Sequence, residues 1–236
     1  MSNSTGAMSL SEHTQALLDF SDHFRHATAG ALTSTRQYLL HEEMRLLVDV
    51  LPAGDRLVIV HHGLDGNALV YGLSFVKATP AGGGLDFTDP GAPSHFLDKG
   101  YLRSITAADW QPFRTAYRTQ VLVDRGDGHG FVPLTDTDAR SVTLPWDTEI
   151  DVMHGTTVQG ETGPFRLALS SVSVRHDDSD GGPEGFRHGI AFHVEQRRIT
   201  GWYPMLDDST YDQAPFRFKA DDYGSLCPPR CSRFQR

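Results

Sequence analysis

Apolar residues recur along this chain at two different periods, and the change from one to the other divides it. Near the start, Leu17, Phe20, Phe24 and Ala27 fall at helical spacing behind Ser9-Leu10-Ser11-Glu12. That tetrad is a capping box, in which the Ser9 and Glu12 side chains satisfy each other's backbone amides. Gly30 supplies a left-handed stop. Ser34-Thr35-Arg36-Gln37 reads as a second capping box, followed by Leu40, Met44, Leu47 and Leu51 on one stripe until Pro52 closes it. The pattern predicts a helical hairpin over 10–52, joined by a short turn, behind a flexible stretch at 1–9.

From Arg56 onward the period becomes 2. The run 57–62 has strand length, Leu69, Tyr71, Leu73 and Phe75 alternate strictly, and an Asp65-Gly66 turn lies between, which predicts a β-hairpin. The stretch 79–93 holds three Pro and four Gly and reads as a surface loop, the place where a domain boundary would fall. Thr106-Ala107-Ala108-Asp109 caps a helix expected through Ala116, kept brief by Pro112. Strands are then expected at 120–123, 131–134, 142–144, 149–158, 165–174, 189–194 and 199–205, with Pro133 marking an edge strand. Short strands this frequent, with Gly and Pro between them, favour antiparallel pairing over a parallel sheet. The expected fold class is α+β: an N-terminal helical hairpin, a mostly antiparallel β-sandwich or barrel-like body over 56–206, and an extended C-terminal arm over 207–236. The arm fits neither period. Pro215, Pro228 and Pro229 stand among Tyr211, Phe216, Phe218, Tyr223 and Phe234, too aromatic for a disordered tail, so it is expected to lie against its own body or a neighbour.

Composition narrows the functions. The chain has 236 residues and a formal net charge of −9, which argues against an electrostatic nucleic-acid binder. No run approaches the length of apolar sequence a membrane span needs, and residues 1–9 have neither a basic nor an apolar signal segment, so a cytoplasmic location is expected. Phosphate-binding glycine loops, the nucleophile elbow and the H-E-x-x-H zinc motif do not occur.

Several residues could carry chemistry. Asp177, Asp178, Asp180 and Glu184 crowd one loop with carboxylate oxygens, which suits a divalent cation such as calcium. Asp178, Asp180 and Gly181 match positions 3, 5 and 6 of an EF-hand loop. His176 and Arg187 occupy positions 1 and 12, however, and no helix flanks the loop, so a solvated hairpin loop is the plainer reading. His61 or His62, His129, His154 and His193 would have to converge from different strands, near Asp151, to hold zinc or iron. His61 and His62 cannot readily chelate one ion together, because alternation points neighbours to opposite faces. Cys227-Pro228-Pro229-Arg230-Cys231 fits a turn with free thiols, a local disulfide, or half a zinc site. Arg125-Gly126-Asp127 reads as part of a tight turn, and Ser170, Ser171 and Ser173 as hydrogen-bonding groups on a half-buried strand face.

The function expected from these patterns is a non-enzymatic binding or structural protein, a component of a larger assembly contacted through the arm. Tyr211, Phe216, Phe218, Tyr223, Arg230 and Arg233 are the expected partner contacts, since extended arms gain main-chain and aromatic contacts on a partner. The arm ends basic (Arg230, Arg233, Arg236), whereas residues 1–55 carry 3 basic and 7 acidic groups, an asymmetry that suits contact between copies. The alternatives are a metal-dependent hydrolase or oxygenase on a β-scaffold, and a small-molecule-binding β-barrel with Trp146, Trp202 and Tyr203 lining its pocket.

Overall fold

The structure, a computed structural model, describes residues 7–8, 10–40, 42–43, 56–81, 84–136, 138, 140–145, 165–176, 185–204, 220–221, 225–227 and 233–235. In chain order its elements begin with β1 (Ala7–Met8), α1 (Leu10–His23), β2 (Phe24–His26), β3 (Arg36–Leu40), β4 (Arg56–Asp65) and β5 (Ala68–Lys77). There follow β6 (Thr79–Ala81), β7 (Gly84–Asp86), β8 (His95–Asp98), β9 (Tyr101–Ser104), α2 (Ala107–Gln120), β10 (Val121–Asp124) and β11 (Phe131–Pro133). The rest is strand: β12 (Ser141–Pro145), β13 (Phe165–His176), β14 (Gly185–Arg198), β15 (Gly201–Pro204), β16 (Ala220–Asp221), β17 (Ser225–Cys227) and β18 (Arg233–Gln235).

The named strands pair antiparallel throughout, which makes this an α+β fold with an N-terminal helix. One sheet runs β1-β16-β14-β13-β3, with β15 added to β14, and a second runs β17-β12-β4-β5-β8-β9. Two smaller sheets run β11-β10-β2 and β18-β7-β6. Among the described residues no sheet closes on itself, so the barrel expectation is not met. The two large sheets touch through polar groups: Tyr71 of β5 hydrogen-bonds Ser171 of β13, and the His62 ring of β4 stacks on His188 of β14 at 3.9 Å. A core of Phe20, Phe24, Leu64, Leu69, Tyr117, Val121 and Val123 ties α1, β2, the β4–β5 hairpin, α2 and β10 together.

The β4–β5 hairpin forms where alternation places it, with Asp65 opposite Ala68 across Gly66-Asn67. Gly66 has φ +59°, a conformation in which a side chain costs energy. The β13–β14 hairpin likewise matches the two expected strands, longer than periodicity suggests at both ends. Pro133 lies on β11, an edge strand, where its missing amide costs no ladder bond.

The helical hairpin is corrected. Arg36–Leu40, expected inside the second helix, is a strand paired with β13. The reason lies at Ser34: its φ of 56° is left-handed, whereas a helix N-cap needs extended backbone, so the second capping box does not act as one. The Thr35 carbonyl instead accepts from the Ser171 amide, feeding the chain into the sheet. Glu42 and Glu43, within that expected helix, are helical, while residue 41 and residues 44–52 lie outside the described residues. The first helix also stops early, at His23; Phe24–His26 form β2 against β10, keeping Phe24 buried in a strand. Two smaller differences follow from packing. α2 continues past Pro112 to Gln120 because Trp110 and Tyr117 are both buried along it, and part of the 79–93 loop is the β6–β7 hairpin. Ala7–Met8, within the stretch expected to be flexible, pair with β16.

Candidate functional site

The arm meets the body as added strands. β16 pairs with β1 and touches β14 where Asp221 stands opposite Phe192. β17 adds to β12, with Cys227 opposite Ser141, and β18 adds to β7, with Arg233 opposite Asp86. Of the expected partner contacts, Arg233 is therefore placed in a strand on the body. Tyr211, Phe216, Phe218, Tyr223 and Arg230 lie outside the described residues, as does Cys231. So do the proposed cation ligands Asp177, Asp178, Asp180 and Glu184, between the described ends of β13 and β14. Trp146, Asp151 and His154 fall outside as well.

Among the described residues the histidines do not converge as a metal set. His129 is exposed in the turn after β10, and among the described residues no group of three His, Cys, Asp or Glu is arranged to hold a metal ion. His61 and His62 do point to opposite faces. His61 bonds Ser74, and burial, partly countered by Asp89, takes its pKa down to about 4. His62 turns the other way, onto His188.

His188 centres the first buried polar network. Its Nδ1 is 2.8 Å from the Tyr117 hydroxyl, and its Nε2 is 2.8 Å from Ser171 Oγ, which also bonds the Tyr71 hydroxyl. All four side chains are buried. Burial, with a smaller effect from His62, pushes the His188 pKa well down; burial pushes Tyr71 and Tyr117 up. The network therefore stays uncharged at neutral pH. A serine held by an imidazole has the outline of an activated nucleophile, but Phe20 of α1, Phe24 of β2 and the His62 ring cover this imidazole. What the arrangement does chemically is satisfy two phenols, a hydroxyl and an imidazole in a core where each would be costly alone.

Glu195 centres the second. It is 2% exposed, ion-pairs with Arg36, accepts from Arg166 Nε at 2.6 Å, and lies 3.3 Å from His193 Nε2. Burial alone would raise its pKa. Hydrogen bonds from His193 and Arg166, with the Arg36 and Arg166 charges, outweigh burial and hold it at about 2. Arg166 is sandwiched, with its guanidinium 3.4 Å from the Tyr38 ring centre and 4.3 Å from that of Trp202. Trp202 thus braces an arginine here. The β13–β14 register puts Arg166 directly opposite Glu195, so this pair follows from hairpin pairing.

A small pocket of about 90 Å³, with Tyr117, Arg118, Asp138 and Arg140 in its wall, has room for only a few waters. Its charges are partly spent: Arg118 pairs with Asp136, and Asp138 with Arg125 at 2.6 Å. That second pair buries the Arg125 side chain, and Gly126 at φ +75° carries the tight turn expected of Arg125-Gly126-Asp127.

Sequence reading missed both networks as units. It anticipated hydrogen bonding by Ser171 but not its partners, which arrive from β5 and β14, nor the α2 residue Tyr117 that holds the far side of His188. Period-2 alternation carried a partial signal, since Ser171 and His188 share one face of the hairpin and His193 and Glu195 share the other. Comparison with known proteins finds no family model, no curated protein and no solved structure that matches the chain.

Proposed function

We propose that this chain is a non-enzymatic binding or structural protein that joins a larger protein assembly through its C-terminal arm, with another protein or further copies of itself as partner and the cytoplasm as its place of action. The observation that carries the reading is the docking of the arm as strands on three different sheets, at the edge of two of them and between β1 and β14 in the third. Edge pairing is made by main-chain groups, so an edge that accepts the chain's own arm presents the same donors and acceptors to an arm from a neighbour. Each arm segment pairs over only two or three residues, a hold short enough to exchange. The body reads as sandwich-like, since Tyr71, Ser171, His62 and His188 bring the two large sheets together. The His188 network favours this reading too, because Tyr117 and Ser171 occupy both of its ring nitrogens.

The test compares the full chain with one stopped after Leu206, by light scattering across concentration and salt. The full chain is expected to give a species larger than a monomer that shrinks on dilution or at high salt. The shortened chain is expected to stay monomeric with its β-signal in circular dichroism intact. A full chain that is strictly monomeric throughout, and that captures no protein from native extract beyond what the shortened chain captures, overturns the reading.

A further inference from the structure

The two ends of α1 are held by different means. At its carboxyl end Phe20 belongs to the apolar core, with Phe24 just beyond it. At its amino end Ala16 rests on Val172 and Ala191, and the His13 ring lies edge-on to His193, with ring centres 4.9 Å apart. Among the described residues before it, Ala7–Met8 form the two-residue pairing of β1 with β16. His13 is 4% exposed, and its Nε2 is buried without a hydrogen-bond partner. His193 Nδ1 is in the same condition.

We propose that the amino-terminal end of α1 is an acid-released latch: protonation of His13, beside His193 and Arg36, lifts this end of the helix off the β13–β14 hairpin while Phe20 stays in the core. A neutral imidazole fits this site; an imidazolium does not. The groups facing His13 are His193 and Glu195 from β14, with Arg36 from β3 behind them, and Arg166 from β13 on the far oxygen of Glu195. Glu195 already serves both guanidiniums and the His193 ring, so a proton on His13 adds a third full positive charge around one carboxylate. On α1 itself Asp19 is engaged by Gln15, and β16 brings the backbone of Asp221 opposite Phe192, one position from His193. A charged His13 would also bury an N–H at Nε2 with no acceptor, which lifting into water cures.

The sign follows from linkage. Burial first, then His193 and Arg36, hold the docked imidazole at about 4 against an ordinary 6.5, with Glu195 opposing. The latch is at full strength above about pH 6.5 and weakens as pH falls toward 4, because the lifted state takes up the proton first.

Amide hydrogen exchange on the full chain tests this, with rates corrected for their intrinsic pH dependence. Between pH 7.5 and 5, opening across residues 10–17 is expected to rise about thirtyfold while staying far more frequent than opening of β4–β5, where His61 responds to acid on its own account. In His13→Leu that acid response is expected to vanish. His13→Gln, polar but without a proton to gain in this range, should behave alike and serves if the leucine does not fold. Exchange across 10–17 that ignores pH overturns the proposal. So does an acid response across 10–17 retained in the variants, or opening of 10–17 in acid that is no more frequent than opening of β4–β5.

Discussion

Glu195 holds two guanidiniums and an imidazole inside the longest strand pairing among the described residues, and removing it leaves both guanidiniums without their counter-charge. Breaking a buried ion pair from one side costs far more than the pair is worth as a whole, because the remaining charge keeps its desolvation penalty. Glu195→Ala is expected to lower stability by about 3 kcal/mol, read from urea unfolding. Arg36 is partly exposed and recovers some solvation, which keeps the figure at the low end. The carboxylate's own contribution is fully present above about pH 4.5 and is lost as pH falls toward its folded value of about 2. Ser171 is a neutral counterpart. Ser171→Ala strips a partner from both His188 Nε2 and the Tyr71 hydroxyl, groups with no water to turn to, and is expected to cost about 1–3 kcal/mol in the same assay.

At the scale of elements, close approach matters as much as pairing. α2 crosses β4 at Gly63, where an added Cβ would stand 2.7 Å from the Trp110 ring and 3.0 Å from both Phe113 Cβ and Val70 Cγ2. Gly63→Ala is therefore expected to push α2 outward, lowering stability by about 1–3 kcal/mol and weakening the near-ultraviolet signal of Trp110. Nothing local marks Gly63 for this role, since it sits in the stretch the sequence reads as hairpin turn. The β3 segment makes the opposite point. Tyr38-Leu39-Leu40 continues a helical stripe in the sequence, yet β13 presents an open edge and Ser34 turns the chain onto it. A strand edge offering five register partners outweighs a weak local propensity for helix.

For the molecule as a whole, acid is expected to destabilise well before the carboxylates titrate. His13 and His61 are held near 4, and His188 well below its ordinary value, each with burial as the main cause. All three favour the folded state fully above about pH 6.5, and that contribution is lost as pH falls, because unfolded chains bind those protons first. Scanning calorimetry is expected to place Tm lower at pH 5 than at pH 7.5 by about 5 °C or more. A flat profile over that range would mean that these imidazoles are not buried neutral groups.

What the sequence determined by itself is what depends on neighbours within a few positions. Alternation at 69–75 sets β5, Asp65-Gly66-Asn67 sets its hairpin, Thr106 caps α2 through the Asp109 amide, and the apolar and small residues of 165–174 set β13. These are short-range consequences of side-chain direction and backbone freedom, so they can be read without knowing what lies across the space. The α+β class and its antiparallel character follow from the same patterns. Only the tertiary structure decided which polar residues meet. Ser171 finds His188 from the next strand and Tyr71 from another sheet, His188 finds Tyr117 from a helix 71 positions upstream, and Glu195 gathers Arg36 from 159 positions away. Such encounters depend on sheet order and on which edge each strand takes, and periodicity carries no record of either.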